Sequence, residues 1–157
     1  MNSKLVQGAA IGGIINGIIN GGIQWFTFRE YASIPVSVDA ITNDEVTVLG
    51  SAVHLSLTLA MILTMVAFFS IKKERRPSTS KKLWMTLKHG FFTFGVITAI
   101  SVLWQYYVGT LAVSALTATV IVGLVAGAVA AIINYLTLKP YTQDTQAAQK
   151  QVENAIV

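Results

Sequence analysis

HGFFTFGVITAISVLWQYYVGTLAVSALTATVIVGLVAGAVAAIINYLTL, from His89 to Leu138, runs for 50 residues without an Asp, Glu, Lys or Arg. A helix rises about 1.5 Å per residue and a bilayer's hydrocarbon is about 30 Å thick, so about 20 residues make one crossing. This run is long enough for two, and Tyr106-Tyr107-Val108-Gly109-Thr110 near its middle offers a hairpin. Working outward, Leu5–Phe28 is equally free of charge over 24 residues, and Val46–Ile71 over 26, broken only by His54. The expected fold is therefore an all-α membrane protein, an up-down bundle of four transmembrane helices. The spans are predicted at about 5–27, 47–71, 84–106 and 113–138, with residues 1–141 as the membrane domain and 142–157 as a short cytoplasmic tail.

Composition points the same way. Of the 157 residues, 54% are hydrophobic and only 11% charged, and the mean hydropathy is +0.62. A soluble domain carries about 25% charged residues, and one of this size could not cover its surface with so few. The sequence has no Cys, which excludes disulfides, thiolate metal sites and cysteine nucleophiles. The net charge of +4 does not indicate nucleic acid, because the basic residues sit at the ends of the apolar runs.

Those ends carry local signals. Thr42-Asn43-Asp44-Glu45 has the capping-box pattern ahead of the second run. Ser80 is placed to cap the third helix, and Lys139-Pro140 to close the fourth. Trp25, Tyr31, Trp84, Trp104, Tyr106, Tyr107, Tyr135 and Tyr141 cluster where headgroup belts are expected. One side of the predicted bundle holds Lys4, Lys72, Lys73, Arg75, Arg76, Lys81, Lys82, Lys88, Lys139 and Lys150, and the other Arg29 alone. Basic residues stay cytoplasmic, so both termini are expected to face the cytoplasm of a cell membrane. The Lys72–Lys82 segment then acts as a topology determinant with some affinity for anionic lipid. The first run has no clear signal-cleavage site and is expected to remain in place. The loop from Arg29 to Glu45, with four acidic residues, is long enough for a small cap over the helix ends.

Helix one carries six glycines between Gly8 and Gly22, including the row Gly13-x-x-x-Gly17-x-x-x-Gly21. Helix four has a matching row through Gly123, Gly127 and Ala131. Steps of four keep such residues on one helix face, where a second helix can approach closely. The rows leave two packings open: within one chain, or across the axis of a homo-oligomer.

Polar groups inside the spans are the best functional pointers in such a protein. No carboxylate lies in any span, which disfavours proton-coupled antiport and cation-selective carboxylate rings. Asn16, Asn20 and His54 are expected in the outer half, His89 and Asn134 near the inner face. Each also has a structural reading, since amides and imidazoles join helices by hydrogen bonds. The two histidines fall near opposite faces, no metal-ligand constellation is present, and no cofactor is expected. No nucleophile triad, phosphate loop or buried carboxylate pair supports an enzyme.

Two functional readings follow. The first is a homo-oligomeric permease or channel for a small neutral or anionic solute, with those five residues along its path. The second is a non-catalytic accessory, assembly or toxin-immunity protein, acting on a membrane-protein partner through helix contacts.

Overall fold

The structure, a computed structural model, describes residues 3–38 and 45–156, with side chains as far as Thr142. It is all-helical apart from a pair of two-residue strands, with α1 at Ser3–Phe28, α2 at Val48–Ser70, α3 at Thr79–Tyr107 and α4 at Ala115–Ile156. All four helices contain a stretch long and apolar enough to cross a membrane.

The helix ends differ from the sequence reading in ways that local chemistry explains. The expected capping box at 42–45 falls largely outside the described residues. The N-cap of α2 is instead Thr47, whose Oγ1 accepts the Gly50 amide at 2.9 Å. Helix α3 begins at Thr79, five residues before the predicted start, because Lys81 and Lys82 are good helix formers and extend the helix beyond its apolar stretch. Ser78, not Ser80, occupies its N-cap position, without a side-chain hydrogen bond to the helix. Pro140 does not end α4, which continues to Ile156, so the predicted tail extends the same helix. The proline ring leaves the Leu136 carbonyl without its usual donor. That loss falls in the last turns of the membrane-competent stretch, which runs to Thr142. The hairpin falls where expected: α3 stops at Tyr107, and Gly109 takes φ +77°, which a residue without Cβ adopts freely.

The packing order is α1 on α4, α4 on α2, and α2 on α3. The helices thus form an open series, with α2 and α4 central and α1 and α3 at its ends. On one face of α1, Ile11, Ile14, Ile15 and Ile18 are exposed, and on α3 so are Phe91, Phe92 and Leu103. Two apolar clusters fill the centre. One joins Leu59 and Ala60 of α2 to Ala126, Val129 and Ile133 of α4.

The other lies under the loop after α1. Strand β1 (Ile34–Pro35) pairs antiparallel with β2 (Ala112–Val113), Ile34 opposite Val113. The Val36 amide donates to Leu111 O at 2.7 Å, and its carbonyl accepts the Leu49 amide at 2.9 Å. Ile34 and Val36 are buried against Phe28, Val48, Ala52, Ala118 and Val122. This ties the first loop to the α3–α4 hairpin and closes one end of the helix series with a small apolar cap.

Candidate functional site

The polar side chains of the spans fall into three settings. The most connected is a node where α2, α3 and α4 meet. Thr64 and Thr137 are fully buried, and His89 reaches both from α3. Its Nδ1 lies 2.9 Å from Thr64 Oγ1 and 3.5 Å from Thr137 Oγ1. Thr64 gives its hydroxyl proton to Ala60 O at 2.7 Å, so its oxygen is left to accept. The network therefore assigns Nδ1–H to the imidazole, donating to Thr64, and leaves Nε2 as an acceptor. Thr93 bonds the His89 carbonyl at 2.7 Å, one turn further along α3. Neither threonine was singled out in the sequence. Hydroxyls at helix positions carry no spacing signal, and only the fold shows that Thr64 and Thr137 face one imidazole.

The second setting is the α1–α4 seam. A Cβ on Gly13 would lie 2.7 Å from Gly127 O and 2.9 Å from Ala131 Cβ, and one on Gly17 would lie 2.9 Å from Gly123 O. Reciprocally, a Cβ on Gly123 would meet Gly17 O at 3.0 Å, and one on Gly127 would meet Gly13 O at 3.0 Å. Gly21 is looser, with Gly123 Cα at 3.5 Å. The pairing runs antiparallel, and the small rows of α1 and α4 face each other within one chain. The atoms an added Cβ would meet are mostly backbone, so each helix leaves no room for a side chain on the other's row. Asn16 and Asn20 lie along this helix and turn inward on it: their Nδ2 atoms donate to Gly12 O at 2.8 Å and Asn16 O at 2.9 Å. Their Oδ1 atoms accept no hydrogen bond among the described residues. Asn134 of α4 comes against α1, its Nδ2 3.1 Å from where a Gly12 Cβ would stand. With Lys4, Ala9 and Val66 it lines a cavity of about 320 Å³ between α1, α2 and α4.

The third setting is His54. Its residue is exposed on α2, and its side chain makes no hydrogen bond among the described residues. Thr58, one turn on, is also exposed and bonds the His54 carbonyl at 3.3 Å. The five sequence candidates are thus distributed over the α1–α4 seam, the three-helix node and the outer face of α2, with no hydrogen bond linking one group to another. Toward the same end of the helices as His54, Trp104 Nε1 and Gln105 Oε1 are buried without a hydrogen-bond partner among the described residues. Among the described residues no group of three or more His, Asp or Glu could hold a metal ion.

The chain matches no protein-family model, no curated protein and no solved structure. Its four apolar helices are those of a small integral membrane protein.

Proposed function

We propose that the protein is a homo-oligomeric permease or channel of the cytoplasmic membrane for a small neutral or anionic solute. In this reading the helices run alternately up and down, and the termini and the Lys72–Lys82 loop face the cytoplasm. The observation that carries it is His54, an exposed imidazole with no hydrogen-bond partner among the described residues, within an apolar run of 26 residues. A polar group left unpaired in hydrocarbon costs about 2 kcal/mol or more, and that cost vanishes if the face meets water or a second copy. The open helix series supports the oligomer, since one chain lines only part of any path. The Oδ1 atoms of Asn16 and Asn20, which accept no hydrogen bond among the described residues, and the Nε2 acceptor of His89 supply further polar contacts, with Asn134 at the inner mouth.

The accessory reading draws on a different feature. The α1 isoleucine ridge flanks an open groove of about 530 Å³ along the α1–α4 seam, a shape suited to a partner helix.

Proteoliposome flux under an osmotic step and then an ionic gradient separates the two. The permease reading expects flux above protein-free vesicles. His54→Leu should lower it on the order of tenfold, equivalent to one polar contact of about 1.4 kcal/mol. Folded protein that moves no solute and co-purifies with another membrane protein overturns the permease in favour of the accessory. Unchanged flux in folded His54→Leu removes His54 from the path.

A further inference from the structure

Near the C-terminal end of α3, three buried polar atoms find no hydrogen-bond partner among the described residues: Thr98 Oγ1, Trp104 Nε1 and Gln105 Oε1. Thr98, Ser101 and Gln105 follow one another at steps of three and four, which sets them along one helix face with neighbours about 5–6 Å apart. Against that row stands Ser37, which follows β1 in the cap and is buried. Its Oγ lies 3.3 Å from Ser101 Oγ and 3.5 Å from Ser101 O, and Gln105 Nε2 reaches Thr110 Oγ1 only at 3.4 Å. Hydroxyl hydrogen bonds settle at about 2.7–2.8 Å, so the contacts that do exist on this row are stretched. The Trp104 ring packs against the apolar cluster under the cap, which holds its N–H in the interior. Burying a donor or acceptor unmet forfeits its hydration, and a run of such groups on one short segment needs a common partner.

We infer that bound water occupies this row against the cap, bridging Thr98, Ser101 and Gln105 and meeting the Trp104 N–H. The chemistry of the groups selects the ligand. Hydroxyls that both give and accept, a carboxamide oxygen that accepts and an indole N–H that donates carry no charge, which favours water over an ion. Water offers two donors and two acceptors and is retained in a protein interior where two to four polar partners surround it. The spacing fits as well, since two hydrogen bonds of about 2.8 Å through one water span the distance between neighbours on the row. The inference concerns the interior of one chain and uses none of the five path candidates, so it holds for a permease or an accessory protein alike.

The test is water-to-protein nuclear Overhauser transfer in the full chain in nanodiscs, read at the Trp104 indole N–H and the Thr98 methyl. Both should show cross-peaks with the sign of a long-lived bound water. Thr93 is the internal control: it is buried on the same helix and its hydroxyl donates to His89 O at 2.7 Å, so its methyl should show none. Ser37→Ala with Ser101→Ala removes the middle of the row with little change of volume and should remove the Thr98 cross-peak. Thr58→Val, on the exposed face of α2, should leave it intact. A missing cross-peak at either reporter in folded wild type would mean that protein atoms fill the space, and would overturn the site. Equal cross-peaks at Thr93 and Thr98 would mean water entering the whole bundle and would overturn it too, as would a Thr98 cross-peak that survives in the folded double variant.

Discussion

The two faces of α4 are built on opposite plans. Toward α1 it offers Gly123, Gly127 and Ala131, and the helices approach until a Cβ added to either row would run into the other's backbone. Toward α2 and α3 it offers Val122, Val129, Ile133 and Thr137, and the contact is made by side chains and closed by the His89 hydrogen bonds. In lipid no hydrophobic effect drives helices together, so association rests on dispersion at close range or on polar pairing. This protein uses one plan on each side of a single helix. The seam should therefore be intolerant of added atoms and the node intolerant of lost ones.

The largest effect is expected at the seam. Gly13→Leu or Gly17→Leu forces a side chain into the Gly127 or Gly123 carbonyl, and neither backbone can yield without parting the helices. A loss of about 3 kcal/mol or more is expected, enough to deplete the folded state of a marginally stable protein. A Cβ at Gly22 meets nothing within 4 Å, so Gly22→Leu should extract and elute from a sizing column as wild type does. If Gly17→Leu and Gly22→Leu give the same elution profile and unfolding midpoint, the contrast between the two faces of α4 fails.

Much of this was legible because the signals were of the right kind. Uncharged runs report a bilayer crossing directly, since length and apolarity are what the bilayer requires, and the four helices stand where those runs are. The glycine row of α1 announced close approach, but a row cannot say which helix it meets. Only the fold brings Gly13 to Gly127 inside one chain. Ile34-Pro35-Val36 read as loop, because two-residue strands leave no periodicity to detect. Their place is set by backbone hydrogen bonds of Val36 with Leu111 and Leu49 and by the apolar cluster under the loop, neither of which a local pattern announces. The polar candidates were recognised as unusual but not assigned to partners. His89 needed Thr64 and Thr137 from two other helices, whereas Asn16 and Asn20 turned to carbonyls of their own helix, four residues back. Proline at 140 misled, because its cost depends on whether water can reach the carbonyl it leaves unpaired, and sequence does not show that.

The node predicts an asymmetry of smaller size. Thr64→Val is nearly isosteric but leaves the His89 Nδ1–H with only the 3.5 Å contact to Thr137. A cost of about 1–2 kcal/mol is expected. His89→Leu leaves Thr64 bonded to Ala60 O and should cost less, although it removes the larger polar group. Unfolding in detergent followed by circular dichroism would rank the two, and the double variant should cost less than the sum, since the pair shares one bond. The opposite ranking would mean that the imidazole, not the threonine, satisfies a group the node depends on.

The smallest effect separates crowding that can relax from crowding that cannot. A Cβ at Gly90 of α3 would lie 2.7 Å from Met61 Cγ and 3.2 Å from its Sδ, as close as Gly13 comes to Gly127 O. The neighbour here is an unbranched thioether with several rotatable bonds, not a carbonyl fixed in a helix. Gly90→Ala should therefore cost less than about 1 kcal/mol, while Gly13→Ala, with the same added methyl, costs about 1–3 kcal/mol. Gly95→Ala is the reference: nothing lies within 4 Å, and alanine's better helix propensity makes the change neutral or slightly stabilising. The order Gly13, Gly90, Gly95 in unfolding midpoints tests whether backbone approach, rather than mere proximity, sets the tolerance of each face. If Gly90→Ala proves as damaging as Gly13→Ala, Met61 is held as rigidly as a backbone, and the α2–α3 contact belongs with the seam.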